Sequence, residues 1–144
     1  MTRPLAFWDT SAVAGLILMA HGSAAHRRYF RETRVVVWWG TRVEAFGAVH
    51  RFFAAAPGRE HRRAAAMARL QALAGGWSEV VPSEAVRQLA VQAIERHGLK
   101  AADAVQLAAA LIWCGERPQS RLFLAADRKL AAAAAAAGFQ TPAV

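Results

Sequence analysis

Four carboxylates stand out by where they fall along the chain: Asp9, Glu44, Asp103 and Asp127. The sequence has seven glutamates but only three aspartates, and no asparagine. Asp9 follows the apolar run Leu5-Ala6-Phe7-Trp8, and Asp127 follows Leu122-Phe123-Leu124-Ala125-Ala126. Both therefore fall at or just beyond the ends of expected buried strands. Glu44 belongs to Thr41-Arg42-Val43-Glu44, which fits a T-x-x-E capping box. Asp9 and Asp127 precede expected helices and fit N-caps, worth about 0.5–2 kcal/mol each. Asp103 has no such local reason. Leu99 and Leu107 flank it at i−4 and i+4, so it reads as a charge inside a largely apolar helix. A surface pair with Lys100 is worth only about 0.2–0.5 kcal/mol, too little to account for it. Carboxylates gathered without Cys or His suit hard cations, Mg²⁺ or Mn²⁺.

The remaining charge is strongly basic. Eighteen Lys and Arg, sixteen of them Arg, against ten acids give a net charge of +8. Arginine forks match phosphate geometry, so an acidic pocket in a basic shell suits a metal-dependent nuclease. Arg27, Arg28, Arg31 and Arg34 form the densest basic stripe, while Glu60-His61-Arg62-Arg63 reads as a solvated face. No two of the five histidines are placed as a catalytic pair, and all five read as surface or helix-end residues. There is no G-x-S-x-G, P-loop or G-x-G-x-x-G, which removes serine hydrolases, NTPases and dinucleotide enzymes. One cysteine, Cys114, excludes a disulfide framework and a Cys-based zinc site and fits a reducing, cytoplasmic setting. The apolar run Ala12–Ala20 is too short for a bilayer, so no membrane association is expected.

To bring the acids together the chain needs strands that end on one edge. Strands are expected at 5–8, 35–39, 79–81 and 121–125, with a last short one at 139–141. Helices are expected over 10–20, closed by Gly22, and over 24–32, 41–55, 59–74, 83–97, 99–114 and 127–137. Gly75-Gly76 should end the fourth helix, and Gly98 and Gly138 should end later ones. Strands separated by helices imply a parallel sheet in a three-layer α/β/α sandwich, within one domain of 144 residues. The five tryptophans sit mostly in apolar runs and read as core, with one exposed anchor allowed.

Four segments together resemble the PIN-domain ribonucleases, especially the VapC toxin branch. They are Phe7-Trp8-Asp9-Thr10-Ser11-Ala12-Val13, Thr41-Arg42-Val43-Glu44-Ala45, Leu99–Ala108 and Phe123–Leu130, in order along nearly the whole chain. The resemblance implies a PIN-like fold over residues 1–144 and an Mg²⁺- or Mn²⁺-dependent endoribonuclease, the toxin of a type II toxin–antitoxin pair. It would hydrolyse RNA phosphodiesters with metal-activated water. It implies metal ligands at Asp9, Glu44, Asp103 and Asp127, with Ser11 supporting Asp9. The implied partners are an RNA substrate, a small antitoxin that masks the site, and a second copy in a homodimer. Two features depart from the family pattern: Ala125 stands where a hydroxyl often precedes the last Asp, and Gln106 replaces a common His. The alternatives are a non-catalytic PIN-like module that binds RNA or protein, and a structure-specific DNA nuclease on the same fold.

Overall fold

β-Branched and aromatic residues build the centre of the protein. In the computed structural model, which describes residues 2–18 and 23–144, four short strands form one sheet: β1 (Leu5–Trp8), β2 (Arg34–Trp38), β3 (Ser78–Val80) and β4 (Leu122–Leu124). All pairings are parallel and the strand order is β3-β2-β1-β4. Parallel neighbours need crossovers, and each crossover here uses two helices. α1 (Thr10–Leu18) and α2 (Ala24–Glu32) join β1 to β2. α3 (Thr41–Ala54) and α4 (Glu60–Gly76) join β2 to β3. α5 (Glu84–His97) and α6 (Ala101–Trp113) join β3 to β4, and α7 (Arg128–Ala137) follows.

Side-chain alternation along the strands splits the core in two. Phe7, Val36 and Phe123 face α5, α6 and α7, where they meet Val86, Ala90, Leu107 and Leu130. Ala6, Trp8, Val35, Val37 and Leu124 face the other way, against Val13 and Ile17 of α1, Val49 and Phe53 of α3 and Leu70 of α4. The result is the expected three-layer α/β/α sandwich. β1 is the centre of the arrangement, because the chain builds outward from it through β2 and β3 and then returns to its other side with β4. The carboxyl ends of β1 and β4 therefore flank the switch point, the usual place for a ligand in an open parallel sheet.

Several boundaries differ from the sequence reading, each for a physical reason. Trp39 lies outside β2, although its N–H still reaches Val80 O at 2.9 Å. Gly75 and Gly76 remain helical, and the chain leaves α4 only at Trp77, which is extended. Lys100 is extended at φ −66°, ψ 156°, so α6 starts at Ala101 and not at Leu99. The expected last strand shrinks to a single bridge between Gln140 and Leu122. Gly98 does end α5, in the left-handed region at φ +64°. The proposed extension of α1 to Ala20, the break at Gly22, and His21 lie outside the described residues. Of the other histidines, His26 is no surface residue: it is 3% exposed, and its ring packs against Gly15, where a Cβ would lie 2.6 Å from Nε2.

Candidate active site

The switch point is held by one hydroxyl. Asp9 directly follows β1, and its N–H donates to Leu124 O across the β1–β4 gap at 3.0 Å. The Asp9 carboxylate then caps α1: Oδ1 accepts from Ala12 N at 3.0 Å and from Ser11 Oγ at 2.7 Å. The same Ser11 Oγ accepts from Ala126 N at 2.9 Å and Asp127 N at 3.1 Å. Ser11 thus joins the loop after β1 to the loop after β4, across 115 residues of sequence.

Asp127 begins α7 as its N-cap, with Oδ1 accepting from Leu130 N at 2.9 Å. The hydroxyl absent at Ala125 is therefore not what fixes Asp127. Its backbone is held by Ser11 and its side chain by the first turn of α7. Asp127 itself remains exposed.

Glu44 arrives differently from expectation. Gly40, not Thr41, is the N-cap of α3, and it makes no side-chain cap bond. Thr41 is fully buried, and its hydroxyl turns to Gln106 Nε2 at 3.1 Å and Thr10 Oγ1 at 3.4 Å. Gln106 is 1% exposed. Its Nε2 also reaches Thr10 Oγ1 at 2.9 Å and Glu44 Oε1 at 3.2 Å. Two amide protons are thus shared among three oxygens. The Gln106 Oε1 is buried without a hydrogen-bond partner among the described residues. Sequence reasoning marked Gln106 only as a stand-in for His, and it missed Thr10 and Thr41. A polar residue three positions after Asp103 on so apolar a helix was the available signal.

Asp103 lies in the first turn of α6, not in a helix interior, because α6 begins late. There the helix dipole favours a carboxylate, which answers part of the objection to its placement. It does not pair with Lys100: the ion pairs among the described residues are Arg28–Glu32 and Arg87–Glu84. Asp103 is instead the common electrostatic neighbour of the other three acids. Burial is the main force raising its carboxyl above the ordinary value, and the Asp127 charge adds to it. Lys100 and Lys129 pull the other way.

The remaining acids respond in kind. Burial raises the Asp9 carboxyl from 3.8 to about 6. The bonds from Ser11 and Ala12 oppose the rise, and the charge of Asp103 adds to it. Glu44 is also raised, first by burial and then by Asp103, with the Gln106 bond opposing. Lys129 is placed beside this group by its own bond to Gly98 O at 2.9 Å.

All five residues singled out from sequence therefore belong to one edge of the sheet, linked through Ser11 and Asp103. The donor set is oxygen only, the chemistry of Mg²⁺ or Mn²⁺ sites. The grouping is open: among the described residues, no three His, Cys, Asp or Glu side chains are close enough to form a ready-made metal cage. No helix among them is long and apolar enough to cross a membrane. No protein-family model matches the sequence, and no curated protein matches it significantly.

Proposed function

We propose that this chain is an Mg²⁺- or Mn²⁺-dependent endoribonuclease of the PIN type, acting in the cytoplasm as the toxin of a type II toxin–antitoxin pair. The observation that carries the reading is the position of Asp103 at the switch point of a parallel sheet, where its charge bears on Asp9 and Glu44 and the charge of Asp127 bears on it. Four acids sharing one edge repel each other, and a divalent cation would relieve that repulsion. Asp9, Glu44, Asp103 and Asp127 would hold it. Such a cation supplies a nucleophilic water at neutral pH and stabilises the leaving oxygen. The chain's own part is positional: Ser11 orients Asp9, Gln106 orients Glu44, and α7 orients Asp127. Lys100 and Lys129 stand beside Asp103, where a phosphate would meet them. A small antitoxin covering this edge and a homodimeric state complete the proposal.

The second reading is a non-catalytic RNA-binding module, and the open grouping of the acids favours it. Purified protein incubated with single-stranded RNAs in Mg²⁺, Mn²⁺ or EDTA separates the two. The expected result is metal-dependent cleavage leaving 5′-phosphate and 3′-hydroxyl ends, abolished in Asp9→Asn and Asp103→Asn. Binding without cleavage supports the second reading. Cleavage of DNA in preference to RNA supports a structure-specific DNA nuclease. Cyclic 2′,3′-phosphate ends formed in EDTA would return the four acids to structural roles.

A further inference from the structure

Away from the carboxylates, the helices enclose a cavity of about 490 Å³ whose polar lining is cationic. It lies between the ends of α1 and α3 and the first half of α4. Arg59, His61, Arg62 and Arg69 line it together with Phe52, and among the described residues no carboxylate does. Arg69 is tied down, donating to Ile17 O at 3.0 Å. Arg59 and Arg62 are exposed and enter no ion pair among the described residues. The nearest acid in sequence, Glu60, turns its Oε1 to Gly58 N at 3.2 Å. Phe52 is 39% exposed and stands edge-on to Phe53, at 5.1 Å and 84°, which leaves ring surface free.

Guanidinium groups beside an open aromatic ring are the elements that hold single-stranded nucleic acid: cations for phosphates and a face for a base. α1 links the two places. It starts beside Asp9 and ends at the cavity with Ile17 and Leu18. Nine residues at 1.5 Å rise put its ends about 13 Å apart, a span that an extended strand of a few nucleotides covers.

We infer that this cavity is a subsite for the RNA strand. Arg59 and Arg62 take a backbone phosphate and Phe52 stacks a base, a few nucleotides from the carboxylates. The inference rests on the RNA reading above and names where the strand is held. A free nucleotide offers the same phosphate and base, so the test includes one.

Binding of a 5′-labelled single-stranded oligoribonucleotide is measured by fluorescence anisotropy in EDTA, with adenosine monophosphate as competitor. The double variant Arg59→Gln/Arg62→Gln should bind at least about tenfold more weakly, and its slope of log K against log salt should be shallower by about 1–2. Phe52→Leu should weaken binding about tenfold with the slope unchanged, since stacking carries no charge. Asp103→Asn should bind no worse than the parent. In Mg²⁺ the arginine variant should raise KM and leave kcat in place. Unaltered affinity in both cavity variants overturns the inference, as does failure of the parent protein to bind RNA. Tight adenosine monophosphate binding lost in the arginine variant, with strand binding retained, assigns the cavity to a free nucleotide and overturns it too. Variants that bind RNA normally but lose self-association make the face a protein interface, against the inference. Arginine-dependent RNA binding without cleavage in any metal leaves the subsite standing and removes the nuclease reading.

Discussion

Ser11 gives its single hydroxyl proton to Asp9, at 2.7 Å from Oδ1. Its oxygen meanwhile accepts two backbone N–H groups from the loop before α7. All of its hydrogen-bonding capacity is used. Ser11→Ala should cost about 1–3 kcal/mol, because three polar groups lose a partner at once. It should also move the Asp9 carboxyl further upward, since the Ser11 bond is the largest force holding it down. Denaturation in EDTA checks the first effect, and carboxylate titration by NMR checks the second.

The acid pair Asp9 and Asp103 should control stability without metal. Asp103→Asn removes a charge that adds to the rise of Asp9 and Glu44 and ends its own repulsion by Asp127. Its melting temperature in EDTA should rise by a few degrees, while stabilisation by added Mg²⁺ should disappear. An unchanged melting point together with unchanged Mg²⁺ stabilisation would place Asp103 outside the site.

Burial of Asp9 sets a pH dependence with a definite sign. Its folded value of about 6 lies above 3.8, so folding favours the protonated acid. That contribution is complete below pH 3.8 and is lost as pH rises through 6. Asn keeps the cap acceptor and cannot ionise. Asp9→Asn should therefore gain on the parent between pH 4 and 7, by about 2–3 kcal/mol at the end of that range. His26 acts in the opposite sense, because burial lowers its imidazole below 6.5. Its contribution is held above pH 6.5 and lost as pH falls through the lowered value. Urea denaturation across pH 4–7.5 in EDTA measures both, and a constant gap between the Asp9→Asn variant and the parent would contradict the first.

Gln106 should be sensitive out of proportion to its neutral charge. Leu fills the same space but leaves Thr10, Thr41 and Glu44 without their shared donor. Gln106→Leu should cost about 2 kcal/mol and raise Glu44 further. Asn, one carbon shorter, should not restore the contacts. Thermal melts of the two variants, with Glu44 followed by NMR, test this.

Local signals in the sequence were strong where one residue decides its own conformation. Gly98 ends α5, and Asp127 caps α7 as its neighbours require. The run Leu5-Ala6-Phe7-Trp8 is β1 at both ends. The failures share a different cause. Thr41 fits a capping box, but Gln106, 65 positions later, draws its hydroxyl inward. Asp103 read as a helix interior because an extended Lys100 leaves no mark in the pattern. His26 stands at a helix end, one of the two places expected for it, but its burial against Gly15 depends on how two helices meet. That Asp9 and Asp127 follow strand ends was legible; that the Asp103 charge bears on Asp9 and Glu44 is a matter of packing.

The bond from Ser11 to Ala126 and Asp127 also sets a timetable. Ser11 is made 115 residues before Ala126, so β1 leaves the ribosome well ahead of β4 and the start of α7. Contacts of such sequence separation form late, after the ends of a long loop have been brought together. During synthesis Asp9 waits with one side of its strand unpaired, and Asp127 has not yet been made. The edge where the acids meet comes into being only once β4 and the start of α7 have joined β1.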